Sequence, residues 1–112
     1  LGSRIRATPY SGELDEMLAK ERLDVVSICT PPWLHAPQSQ TALEAGVNVF
    51  VEKPMAMTEA ECRAMCDAAS RHGRALCVSH NFLFSRAVSE AYRRVASGRA
   101  GRIESLLGFQ MS

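Results

Sequence analysis

The sequence predicts an α/β fold, a parallel sheet with helices on both of its faces, and three observations carry that prediction. Apolar runs of strand length recur at residues 25–29, 47–51 and 75–79. Helical patterns separate them. The runs themselves are apolar on successive residues rather than on every second one, as strands covered on both sides require.

Each element has its own signals. Leu14, Met17 and Leu18 share one side of a short helix over residues 11–20. Pro37 suits the first turn of a helix running to Ala45, with Gly46 as its left-handed stop. Thr58 and Glu61 have the spacing of a capping box, after which Cys62, Met65, Cys66 and Ala69 fall on one helical face and Gly73 closes the helix. Ser85 can cap a last helix, with Val88, Ala91, Tyr92 and Val95 on its inward face and a stop near Gly98. From residue 103 the pattern changes. Ile103, Leu107, Phe109 and Met111 lie on one side and Glu104 and Gln110 on the other, the alternation of a half-exposed strand. That strand would open a second, antiparallel sheet.

Composition narrows the function. At 112 residues the chain holds one domain at most, and 46% hydrophobic with 22% charged residues is an ordinary globular balance. Its 13 basic and 12 acidic side chains form no block, so neither nucleic acid nor a membrane surface is expected as a partner. No apolar run approaches membrane-spanning length and no signal peptide opens the chain, which makes a cytoplasmic location the expectation. Cys29, Cys62, Cys66 and Cys77 lack zinc-site spacing and are expected to be reduced, buried and free of metal.

In open parallel sheets, ligands gather beyond the carboxyl ends of the strands. Both informative stretches fall there. The first run ends in "SICTPPWLH", which places Thr30, Pro31, Pro32, Trp33 and His35 in a loop. The second ends in Glu52-Lys53-Pro54. A carboxylate in such a place can accept hydrogen bonds from vicinal ribose hydroxyls, and a lysine beside it can donate to an oxygen that gains or loses a proton. Spacing alone leaves a solvated surface ion pair equally open, because such pairs are common and weak. The proline fixes the direction of exit, with a cis bond before it as one option.

The ordered set of Asp24-Val25-Val26, Thr30-Pro31 with His35, Ala42-Leu43-Glu44-Ala45-Gly46, and Glu52-Lys53-Pro54 followed by Met55 and Thr58 resembles the dinucleotide-binding domain of the Gfo/Idh/MocA family. That family is named for glucose-fructose oxidoreductase, inositol dehydrogenase and a rhizopine catabolism protein. The resemblance runs from about Tyr10 to Gln110, with "ASGRAGRIESL" at the passage into the family's C-terminal sheet. It implies a partial Rossmann-type domain over residues 1–100, lacking its first βαβ unit. Residues 101–112 would then begin a C-terminal α+β sheet domain for substrate and oligomerisation. The implied activity is hydride transfer between NAD or NADP and a sugar, cyclitol or related polyol.

Site roles follow from the same resemblance. Glu52 would bind the nicotinamide ribose. Lys53 would be the catalytic lysine, touching both cofactor and substrate and assisting the proton relay. Thr30, Pro31 and Pro32 would pack along the cofactor, Trp33 would cover the nicotinamide or line the substrate pocket, and His35 would contact the cofactor or orient the loop. Asn81 and, more weakly, His80 are the candidates for substrate contact.

Departures from the family pattern bound these roles. Pro32 stands where many members have Asn, and Leu83 where an arginine is frequent. No Gly-x-Gly-x-x-Gly stretch occurs, and the family's second catalytic group, usually a histidine, would lie beyond Ser112. The chain is therefore expected to be part of a larger protein and to be inactive alone, and the resemblance implies that the full-length protein is a homo-oligomer. An NAD-dependent glycosidase of the same family and a non-catalytic binding or dimerisation module are the alternatives.

Overall fold

The computed structural model describes residues 12–105, which fall into two compact units, one ending at Ser79 and one beginning at His80. The first unit runs α1 (Leu14–Lys20), β1 (Val25–Ile28), α2 (Pro32–Glu44), β2 (Asn48–Val51), α3 (Glu59–His72) and β3 (Leu76–Val78). All three strands are parallel, in the order β1-β2-β3, with Val26 opposite Val49 and Phe50 opposite Cys77. Successive parallel strands need a helical crossover, and α2 and α3 supply the two. The expected βα repeat is therefore present.

The core lies between the sheet and these two helices. Val26, Ile28, Val49 and Val51 point into it from the strands, Ala36, Ala42 and Leu43 from α2, and Met65, Ala68 and Ala69 from α3. Met17 and Leu18 of α1 pack against its edge. On the sheet's other face Val25, Ser27, Phe50 and Cys77 are exposed, so among the described residues the strands are covered on one side and not on both. The apolar runs remain real, but every second residue is buried in β1 and β2, and Leu76 and Val78 of β3 are half-buried.

The exposed face also corrects the reading of the cysteines. All four are free, yet Cys29, Cys66 and Cys77 are exposed and Cys62 half-buried. Cys29 and Cys77 stand on the uncovered side of the sheet. On α3 the buried stripe is Met65, Ala68 and Ala69, which turns Cys66 outward.

Helix ends follow local chemistry. The Thr58 hydroxyl accepts from the Glu61 N–H at 3.2 Å while the Glu61 carboxylate accepts from the Thr58 N–H at 2.9 Å, completing the capping box. Gly73 ends α3 at φ 60° and Gly46 follows α2 at φ 81°, a region where any side chain would be strained. The start of α2 differs from expectation. Pro32 is its first-turn proline, the Leu34 N–H donates to the Pro31 carbonyl at 2.9 Å, and Pro37 sits inside the helix on an exposed side. Two prolines near one helix start left the boundary ambiguous by a turn and a half.

Asn48 ties the strands together at their amino ends. Its side-chain amide donates to the Asp24 carbonyl at 2.7 Å and its side-chain oxygen accepts from the Ala75 N–H at 2.9 Å. Net contributions of about 0.5–1.5 kcal/mol per hydrogen bond predict that Asn48→Ala lowers the unfolding free energy by roughly 1–3 kcal/mol. Denaturant titration reads that loss, and an unchanged midpoint would show that the clamp carries no stability.

The second unit contains a 3-10 turn (Asn81–Phe84) and α4 (Arg86–Ala96). Ser85 caps α4, its hydroxyl accepting from the Val88 N–H at 3.3 Å. Val88, Tyr92 and Val95, expected to face inward, are exposed. Among the described residues of this unit, the 3-10 turn is the element that packs on α4. Of the strand expected over 103–111, residues 103–105 are not in a strand, and the rest lie outside the described residues. Among the described residues no helix is long and apolar enough to cross a membrane.

Candidate active site at the carboxyl ends of the strands

Parallel pairing of β1 with β2 brings their carboxyl ends side by side. The Glu52 N–H continues the ladder, donating to the Ile28 carbonyl at 2.9 Å. The segment Cys29-Thr30-Pro31 and the segment from Glu52 to Pro54 therefore leave the sheet as neighbours. The structure thus brings together Thr30, Pro31, His35, Glu52, Lys53 and Pro54, which sequence spacing placed in two separate loops.

Thr30 is half-buried, and its hydroxyl donates to the Gln38 side-chain oxygen at 2.7 Å. That bond turns the hydroxyl toward α2, so what Thr30 and Pro31 offer a ligand is backbone and van der Waals surface. Pro32, Trp33 and His35 belong to the first turns of α2 rather than to the loop. The Trp33 indole is 65% exposed beside this rim. His35 is turned the other way and is only 1% exposed. Its Nδ1 lies 2.7 Å from the Pro54 carbonyl oxygen and its Nε2 2.8 Å from the Thr30 carbonyl oxygen. Both ring nitrogens are thus engaged by the protein.

Glu52 is half-buried and Lys53 exposed. One Glu52 carboxylate oxygen accepts from the Lys53 backbone N–H at 3.1 Å. Among the described residues its other oxygen has no partner, and the Glu52 carboxylate and Lys53 ammonium form no ion pair. The bond between Lys53 and Pro54 is cis. Beyond it, the Met57 N–H donates to the Glu61 carboxylate at 3.0 Å, which fastens the loop to the start of α3. An outward lysine next to a carboxylate with a spare acceptor suits a ligand that presents hydroxyl groups, such as the ribose of a nicotinamide nucleotide. The residues present fit that half of a dinucleotide.

His80 and Asn81 belong to the second unit and are both exposed. His80 precedes the 3-10 turn and its carbonyl accepts from the Leu83 N–H at 3.0 Å, while Asn81 opens the turn. The engagement of His35 with Pro54, nineteen positions along the chain, had no signal in the sequence. Nothing in spacing or periodicity joins those two positions.

Fold and loops together are those of the dinucleotide-binding α/β class. The family model described as "Oxidoreductase family, NAD-binding Rossmann fold" matches residues 3–80. The chain is 38% identical over 97 residues to 1-carboxy-3-chloro-3,4-dihydroxycyclohexa-1,5-diene dehydrogenase of Comamonas testosteroni, covering 87% of this chain and 24% of that protein. It is 38% identical over 87 residues to D-glucoside 3-dehydrogenase of Escherichia coli K12, covering 78% of this chain and 25% of that one. The WlbA dehydrogenase from Bordetella pertussis, solved in complex with NADH and UDP-GlcNAcA, superposes with a TM-score of 0.81 at 30% identity, over 90% of this chain and 29% of that one. The chain belongs to the Gfo/Idh/MocA oxidoreductase family, as the resemblance implied. It spans about a quarter of the length of the curated relatives named here.

Proposed function

We propose that the protein carrying this sequence is an NAD(P)-dependent oxidoreductase that moves a hydride between its cofactor and a sugar, cyclitol or related polyol. One observation carries the reading: Glu52 and Lys53 leave the sheet at the carboxyl end of β2, beside the end of β1, with a carboxylate oxygen and an ammonium available to a ligand. The nicotinamide supplies the hydride acceptor or donor. Glu52 accepts hydrogen bonds from the nicotinamide ribose. Lys53 donates to the substrate oxygen that changes between hydroxyl and carbonyl, and assists movement of its proton.

The surrounding residues complete the reading. Thr30, Pro31 and Pro32 form one wall along the cofactor, and the exposed Trp33 ring covers the nicotinamide or lines the substrate pocket. Asn81 and His80 contact the substrate. His35, grouped with the cofactor contacts on resemblance, has both ring nitrogens committed to carbonyls, so its contribution runs through the loop. Residues 1–100 form part of the dinucleotide-binding domain and residues 101–112 start a sheet domain for substrate and oligomerisation. The whole enzyme is a cytoplasmic homo-oligomer.

The test is an assay of the whole protein with NAD and NADP against a panel of sugars and cyclitols. Growth of reduced-nicotinamide absorbance with one of them is the expected result. Release of free sugar from glycosides with the cofactor retained and unchanged would move the chain to the glycosidase alternative. Failure to bind either cofactor would leave the non-catalytic module.

A further inference from the structure

The loop that carries Lys53 is held by few contacts. From Lys53 to Met57 its backbone N–H groups bond to side chains, Lys53 to Glu52 and Met57 to Glu61. Met55 and Ala56 rest against the core without directional bonds. Among the described residues the Pro54 carbonyl has one partner, the His35 ring, and so does the Thr30 carbonyl. His35 is itself fixed by α2 and by near-complete burial. A buried polar group with both ends engaged holds its partners at set distances, because losing either contact leaves a nitrogen of the buried ring without a partner.

We propose that His35 is a positioning residue for the reaction: by bridging the Thr30 and Pro54 carbonyls it fixes the loop from β1 against the loop that carries Lys53, and so sets where the Lys53 ammonium meets the substrate. This rests on the reading of Lys53 as the group that handles the substrate proton. His35 itself touches neither substrate nor cofactor. A displacement of about 1 Å at a reacting group can cost on the order of 10²-fold in rate, which makes a strut two side chains from the chemistry matter.

The two nitrogens can be tested separately in the whole enzyme. Asparagine places an amide donor near the position of Nδ1, facing Pro54, whereas glutamine places one near that of Nε2, facing Thr30. His35→Gln is expected to lower kcat by about 10²-fold with KM for the cofactor within a few-fold, and His35→Asn to retain most of the rate. A residue that serves only stability would show losses in both variants that follow their melting temperatures. Coupling to Lys53 gives the second readout. Once Lys53→Ala has removed the group being positioned, adding His35→Gln should cost nothing more. Losses that multiply in the double variant would overturn the proposal, as would an unchanged kcat in folded His35→Gln. If Lys53→Ala alone leaves turnover intact, it is the role of Lys53 that fails, and the strut has no reacting group to position.

Discussion

Lys53→Ala in the whole enzyme is expected to lower kcat by about 10²–10⁴-fold, the range general acid–base groups contribute, while cofactor affinity stays within a few-fold. Its side chain is exposed, and only its backbone N–H is engaged, by Glu52. Removing the side chain therefore disturbs no packing and no internal hydrogen bond among the described residues. What disappears is the cation that directly follows Glu52 in the chain at the strand end. Stopped-flow measurement of hydride transfer, with fluorescence titration of the reduced cofactor, separates the two quantities. An equal loss in both would make Lys53 a cofactor-binding residue. An unchanged kcat would remove it from the chemistry. Lys53→Arg keeps the charge but replaces a compact ammonium that can give up its proton by a guanidinium that stays protonated, so it should leave cofactor affinity unchanged and not restore the rate.

The second large effect lies in the core. Leu43 is fully buried in α2 beneath the sheet, with Met65 of α3 equally buried in the same cluster. Truncation to alanine opens a cavity between two helices and a sheet, where backbone elements on all sides limit collapse, so Leu43→Ala should cost about 2–5 kcal/mol. Unfolding of the protein in urea, followed by circular dichroism, reads the loss. Because α2 also carries His35 at its other end, the same change should loosen the Pro54 bond, visible as faster amide exchange in residues 53–57. A loss under 1 kcal/mol would mean the helix repacks freely and the site tolerates its movement.

Much of this was legible in the sequence for physical reasons that differ by element. The Thr58–Glu61 box and Gly73 bound α3 because capping is an interaction among residues close in sequence. The three strands were legible because burial selects apolar runs, and their parallel order followed from the helices between them. Two features were not. Pro31, Pro32 and Pro37 each satisfy part of the rule for a helix start, and only tertiary packing decides that α2 begins at Pro32. Apolar strands also do not say what covers each face, and among the described residues Val25, Phe50 and Cys77 are exposed. At the site, Glu52 and Lys53 stood out by chemistry at a strand end. The His35 bridge did not, because it depends on where two loops meet in space.

The most direct test of the site is a structure of the whole protein with NADH bound, read at the Glu52 carboxylate. Hydrogen bonds of about 2.6–3.2 Å from the nicotinamide ribose hydroxyls to Glu52, with the Lys53 ammonium facing the nicotinamide C4 side, are the predicted result. A nicotinamide ribose held elsewhere, with Glu52 bonded only to the Lys53 backbone N–H as it is now, would contradict it.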